Sequence, residues 1–259
     1  MGIEYDGTAY NGWQRQKSGI GVQQRVEEAL SFVADEPVEA VCAGRTDTGV
    51  HATGQVAHFD TSSTRSWRGW LLGANSHLPD DISVCWISPV SDDFHARYSA
   101  LARRYRYRIL NRLVRSALER HRAWWVHQPL DADAMHRAAQ DLLGEHDFSA
   151  FRAAGCQAST PNREIKSIRV GRDGDWLTLD VTANAFLQHM VRNITGTLAA
   201  IGAGEQPIGW AKQVLLSRDR KQAGVAAPPQ GLTLVHVDYP PDSFDETAVR
   251  RISRSLRAP

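Results

Sequence analysis

Residues 103–109 read RRYRYRI, and this alternation constrains the chain more than any other stretch. A period of two belongs to a β-strand, with Tyr105, Tyr107 and Ile109 on one face and Arg104, Arg106 and Arg108 on the other. The charge runs on past the strand. Residues 103–122, RRYRYRILNRLVRSALERHR, hold eight arginines and one glutamate, a local charge of +7 on a chain whose net charge is +1. A concentrated basic stretch on a near-neutral protein is the footprint of a phosphate-binding surface, and a solvated arginine face is its plainer alternative. Aromatics interleaved with arginines suit unpaired RNA bases, although a strand tyrosine is more commonly a core residue.

The rest of the chain mixes helices and strands in a similar rhythm. Residues 2–5 read as the end of a strand cut short, followed by an Asp6-Gly7 turn. Residues 21–34 place Val22, Val26, Ala29, Leu30 and Val33 on one helical face. Strands are expected at 38–43, 54–59 and 82–87, with a second helix at 65–76. Beyond residue 100 a helix is expected at 131–143, N-capped by Asp131, with Met135, Ala138, Ala139, Leu142 and Leu143 inward. Strands follow near 163–170 and 176–182, then a long helix at 186–202 and a last strand at 231–239. This predicts an α+β class, antiparallel sheets backed by helices, in two α/β halves at 1–100 and 101–240 with a polar tail at 241–259.

Composition excludes several classes. Apolar content of 42% and charged content of 23% describe an ordered globular chain, and no apolar run approaches bilayer length. The start, MGIEYDG, does not read as a signal peptide. Cys42, Cys85 and Cys156 form no CxxC pair, so buried thiols in a reducing, cytoplasmic setting are expected. His51, His58, His95 and His146 are scattered without HxH or HxxxH spacing, so no metal is expected. No phosphate-cradling GxxxxGK[ST], no strand-linked GxGxxG and no GxSxG elbow is present, so no nucleotide or dinucleotide cofactor is expected.

Two segments could carry chemistry. In AGRTDTGVHATGQVAHF, 43–59, Asp47 sits among Arg45, Thr46, Thr48 and Gly49. Such a loop serves equally for a turn or for a reacting carboxylate, which needs a nearby guanidinium to stay ionised. In FLQHMVRNITG, 186–196, Leu187, Met190, Val191 and Ile194 begin an apolar stripe, while His189, Arg192 and Gly196 fall on the other side of the helix. That side is expected to face a site, with Gly196 allowing close approach.

The ordered blocks GIEYDGTAYNGWQRQ, AGRTDTGVHATGQVAHF, DDFHARYSALARRYRYRI, LLGEHDFSAF, NAFLQHMVRNITGTL and AGVAAPPQGLTLVHVDYP span nearly the whole chain. Together they resemble the TruA family of tRNA pseudouridine synthases. The resemblance implies a pseudouridine synthase fold of two fused halves meeting at a central basic cleft, working as a homodimer on tRNA without cofactor or metal. It implies isomerisation of uridine to pseudouridine in the anticodon stem-loop, at tRNA positions 38, 39 and 40. It marks Asp47 as the catalytic aspartate, Arg192 as its cationic partner and Tyr105 as the tyrosine that packs on the target uracil. Arg45 is expected to shape the site or touch RNA, and Leu232 to wall the uracil pocket beside Tyr105. Arg103, Arg104, Arg106 and Arg108 are the expected RNA-backbone contacts. The chain starts nearer its first turn than is usual in that family, so a shortened first strand is expected. A tRNA-binding module without catalysis and a metal-dependent hydrolase are the competing readings.

Overall fold

The computed structural model describes residues 1–244; most of the tail expected at 241–259 therefore lies outside the described residues. Along the chain the elements are β1 (Gly2–Tyr5), α1 (Val22–Ala34), β2 (Val41–Cys42), β3 (His51–His58), α2 (Trp67–His77), β4 (Ile82–Trp86), β5 (Ala102–Asn111), β6 (Trp124–Val126), α3 (Ala132–Gln140), β7 (Gly144–Asp147), β8 (Asn162–Asp173), β9 (Trp176–Ala183), α4 (Met190–Gly202), α5 (Trp210–Ser217) and β10 (Leu232–Asp238). The described residues gather into two compact units, Met1–Leu101 with 234–244, and Ala102–Thr233. The α+β expectation holds, with antiparallel pairing dominant.

In the first unit the strands run in the order β4-β1-β3-β10, with β2 added on β3. β1 is only four residues long but is paired antiparallel on both sides, to β3 and to β4. Helix α1 buries Val22, Val26, Ala29 and Leu30, the face its spacing dictates. It stops at Asp35, whose backbone is left-handed at φ 59°. The Ser66 hydroxyl caps α2 by accepting the Gly69 N–H at 3.1 Å. Asn75 then ties α2 to β4, donating to the Val84 carbonyl and accepting the Val84 N–H, both at 2.9 Å. β3 begins at His51, three residues before the expected strand, because Tyr5 of β1 pairs with Ala52.

In the second unit the order is β5-β9-β8-β7, all antiparallel, with β6 parallel to β5. The β5 alternation survives intact: Tyr105, Tyr107 and Ile109 are buried, while Arg104 and Arg106 are exposed. Asp131 caps α3 as expected, its carboxylate accepting the Asp133 and Ala134 N–H groups at 2.9 Å. Helix α3 ends at Gln140, sooner than expected, and Leu143 is left exposed just before Gly144 turns the chain at φ +92°. Helix α4 starts at Met190, not 186, after His189 adopts a left-handed backbone at φ 61°. Leu187, Met190, Val191, Ile194, Leu198 and Ile201 are buried as the stripe predicts. The opposite side is not a solvated polar face, however: Asn193, Thr195, Gly196 and Thr197 are buried too. The short β6 and β7 and the helix α5 were not anticipated from the sequence.

Candidate active site

Asp47 lies half-buried in the connection from β2 to β3, between buried Thr46 and exposed Thr48. The chain turns there, the Val50 N–H reaching back to the Asp47 carbonyl at 3.1 Å, with Gly49 at φ +76°. The plainer reading of the motif, a turn, therefore holds, with Asp47 inside it. What distinguishes this turn is its support. The Trp13 N–H donates to the Thr46 carbonyl at 3.0 Å, and the Gly49 N–H donates to the Tyr10 carbonyl at 3.3 Å. Gly12 presses its backbone on the loop: a Cβ there would fall 2.4 Å from the Thr46 carbonyl oxygen, and its φ of +86° suits only glycine well.

Beneath the loop lies a polar network with little local signature in the sequence. The Tyr5 and Thr46 hydroxyls are 2.8 Å apart. Gln55, fully buried, donates to the Gly44 carbonyl at 2.7 Å and accepts the Gly44 N–H at 3.4 Å. It also reaches the Tyr5 hydroxyl at 3.4 Å. Burial pushes the Tyr5 phenol well above its usual range, so it remains a neutral hydrogen-bonding group. The only sequence signal for this network was a glutamine inside the apolar run GQVAHF. Arg45 is exposed beside it. Burial pushes the Cys42 thiol up to about 12 despite the charge of Arg45, which makes it an inert core group.

The remaining candidates lie in the second unit. Tyr105 is 7% exposed and meets Phe186 edge-on, ring centres 5.0 Å apart. Arg192 is half-buried, and its Nε donates to the Ala227 carbonyl at 2.8 Å while its own carbonyl accepts the Ala227 N–H at 3.0 Å. The segment around Ala227 thus acts as a strap across α4. A Cβ on Gly196 would lie 1.8 Å from the Val225 carbonyl oxygen, so the close approach this glycine permits is to the strap. The strap continues to Pro228, whose carbonyl accepts the Tyr107 hydroxyl at 2.6 Å, and then to buried Leu232. Burial raises the Tyr107 phenol well above its usual range, with the Arg192 charge opposing that rise. Arg192, Tyr107 and the strap are therefore one assembly within this unit.

The four strand arginines are not equivalent. Arg103 shares the Tyr105 face and is buried, donating to the Asn184 carbonyl at 2.9 Å. Arg104 donates to the Thr182 hydroxyl at 3.3 Å. Arg106 makes a two-pronged pair with Asp180 at 2.8 and 3.2 Å. Arg108 pairs with Glu119 at 3.1 Å and lies 4.2 Å from the centre of the Trp176 ring. The scattered histidines have local duties: His58 accepts the Ala96 N–H at 3.1 Å, and His95 accepts those of Arg97 and Tyr98 at 3.1 and 3.2 Å. Among the described residues no three His, Cys, Asp or Glu side chains gather as a metal site would require. No helix among them is long and apolar enough to cross a membrane.

A family model described as tRNA pseudouridine synthase matches residues 1–99 and 138–240. Curated relatives agree over almost their whole length. A tRNA pseudouridine synthase A from Hydrogenovibrio crunogenus is 55% identical over 95% of this chain and 93% of its own. One from Pseudoalteromonas atlantica is 57% identical over 93% of this chain and 91% of its own. One from Coxiella burnetii is 55% identical over 93% of each. The chain belongs to the tRNA pseudouridine synthase family.

Proposed function

We propose that this enzyme isomerises uridine to pseudouridine in the anticodon stem-loop of tRNA, at positions 38, 39 and 40, with Asp47 as the reacting carboxylate. The observation that carries the proposal is a carboxylate on a rigidly supported turn, in a chain of this family. In the reaction the N1–C1′ bond breaks, uracil turns within the site, and a C5–C1′ bond forms. The C5 hydrogen is lost and N1 regains one, so atoms and electrons balance. Such a conversion asks for no electron acceptor and no phosphoanhydride. It does ask for an ionised carboxylate as nucleophile or base, a held base and exclusion of water.

The roles follow from chemistry and position. Arg192, its guanidinium steadied by the strap, supplies the positive charge that keeps a reacting carboxylate ionised. The target uridine must leave its stack, at a cost of about a few kcal/mol. Tyr105 recovers on the order of 1–3 kcal/mol of that by packing on the extruded base. Leu232 contributes an apolar wall, and Arg45, exposed beside the Asp47 turn, contacts the RNA. Basic side chains of the second unit hold the tRNA backbone. Assembly as a homodimer and residence in the cytoplasm belong to the same proposal.

The test is tritium release from tRNA transcripts labelled at uridine C5, for the wild type and Asp47→Asn. Release by the wild type and a loss on the order of 10⁴-fold or more in the variant is the expected result. Wild-type tRNA binding without release would instead favour a binding module, and release by the variant at the wild-type rate would remove Asp47 from the chemistry.

A further inference from the structure

Residues 223–228, AGVAAP, are the part of the strap with neither helix nor strand, so single contacts set its position. Three of them tie it to α4. The Gly224 N–H donates to the Thr197 hydroxyl at 3.1 Å. Val225 closes on Gly196. Buried Ala227 takes Arg192 twice, its carbonyl accepting from the guanidinium Nε and its N–H donating to the Arg192 carbonyl. A shift of Ala227 is thus felt at both the backbone and the guanidinium of Arg192.

What fixes Ala227 lies one residue on. Pro228 and Pro229 carry no N–H, so they offer hydrogen bonds only through their carbonyls. The Leu232 N–H takes that of Pro229, and the Tyr107 hydroxyl takes that of Pro228 at 2.6 Å. The pyrrolidine ring holds Pro228 at φ −64°, so this stiff residue passes the tie back to Ala227. Tyr107 is itself held. Its ring is fully buried and meets Trp124 edge-on, ring centres 6.3 Å apart. Gly231 closes the strap on the same ring: a Cβ there would fall 2.6 Å from two of its carbons. Burial keeps the phenol protonated, so the donor to Pro228 is always present.

We infer that Tyr107 is a positioning residue for the isomerisation, setting the Arg192 guanidinium through Pro228 and Ala227; the inference rests on the role proposed for Arg192. Tyr105 and Tyr107 lie two residues apart on one face of β5. One strand then places the ring that packs on the base and, by way of the strap, the cation that keeps the carboxylate ionised. Tyr107 acts through Arg192 and not on the reacting atoms.

The experiment is tritium release from tRNA labelled at uridine C5, by the wild type, Tyr107→Phe, Arg192→Ala and the double variant, with a thermal melt of each. Tyr107→Phe keeps the ring and removes one hydroxyl; kcat should fall about 10-fold, with the KM for tRNA within about twofold of the wild type. Arg192→Ala should cost on the order of 10³-fold in kcat. Adding Tyr107→Phe to it should cost less than about twofold more, because the residue through which Tyr107 acts is gone. Asn111→Ala is the structural control on the same strand. Its amide bonds run to Val126, Gln128 and Leu130, not to the strap, so it should lower Tm at least as far as Tyr107→Phe while kcat stays near the wild type. A Tyr107→Phe enzyme with the wild-type kcat overturns the inference. So does a loss that persists in full in the Arg192→Ala background, or one that Asn111→Ala reproduces. Arg192→Ala at the wild-type rate would sink the reading of Arg192 itself, and the inference with it.

Discussion

The connection from Ala43 to Val50 turns its backbone inward, whereas the connection from Arg112 to Ala123 turns its side chains outward. In the first, Thr46 and Gly44 are held from below by Tyr5 and Gln55, and the Gly12 backbone lies against the loop. In the second, hydrogen bonds close the loop on itself, and Leu113, Val114 and Leu118 remain in water. Both join strands and both are irregular, yet they spend their contacts differently. The role proposed for Asp47 would require its carboxylate to be placed to within a fraction of an ångström, and support of this kind suits that requirement.

The strongest way to break this contrast is Gly12→Ala. The new methyl would meet the Thr46 carbonyl at 2.4 Å from a left-handed backbone, so the Asp47 turn or the Tyr10–Trp13 segment must move. A loss of about 2 kcal/mol or more is expected in urea denaturation, with kcat down on the order of 100-fold. Leu118→Ser on the other loop should shift stability by less than about 0.5 kcal/mol. Equal stability losses at the two positions would erase the distinction.

A finer cut separates the members of the network. Gln55→Ala strips the Gly44 N–H and carbonyl of their partner and should cost about 2 kcal/mol. Tyr5→Phe keeps the ring packed on Trp13 and removes only the hydroxyl that meets Thr46, at about 1 kcal/mol. If the network positions Asp47, Tyr5→Phe lowers kcat several-fold and leaves the KM for tRNA where it was. A variant that loses stability with kcat intact would make the network purely structural.

Much of this could be read from the chain. Alternation at 103–109, the α1 face and the α4 stripe are local patterns imposed by backbone period, and the structure honours them. The Asp47 block was equally visible as a motif. Partnership is what local pattern does not carry. Nothing in LTLVHVD says that β10 returns to lie beside β3, and nothing in three residues of β6 announces a parallel pair. The strand arginines looked like one basic surface with the loop arginines, because their partners Thr182 and Asp180 lie more than seventy residues away. Helix α4 looked amphipathic because His189, Arg192 and Gly196 read as the face opposite the apolar stripe; Gly196 is in fact buried against the strap, which reaches it through Val225.

The smallest expected effect tests the frame around the supported loop. Glu36, just after α1, accepts bonds from the Thr61 hydroxyl at 2.6 Å and from the Ser62 N–H and hydroxyl at 2.7 Å, tying α1 to the chain that leaves β3. Those hydrogen bonds from Thr61 and Ser62 hold its carboxyl at about 2, against an ordinary value of 4.5. A carboxylate depressed in the folded state stabilises fully above its unfolded pKa, and that contribution is lost as pH falls from about 4.5 toward 2. Thermal melts between about pH 5 and pH 3 should therefore show a larger fall in Tm for the wild type than for Glu36→Gln, whose side chain does not titrate. Equal falls would mean that this tie contributes nothing to the unit that carries Asp47, and that the loop's rigidity comes from Gly12, Tyr5 and Gln55 alone.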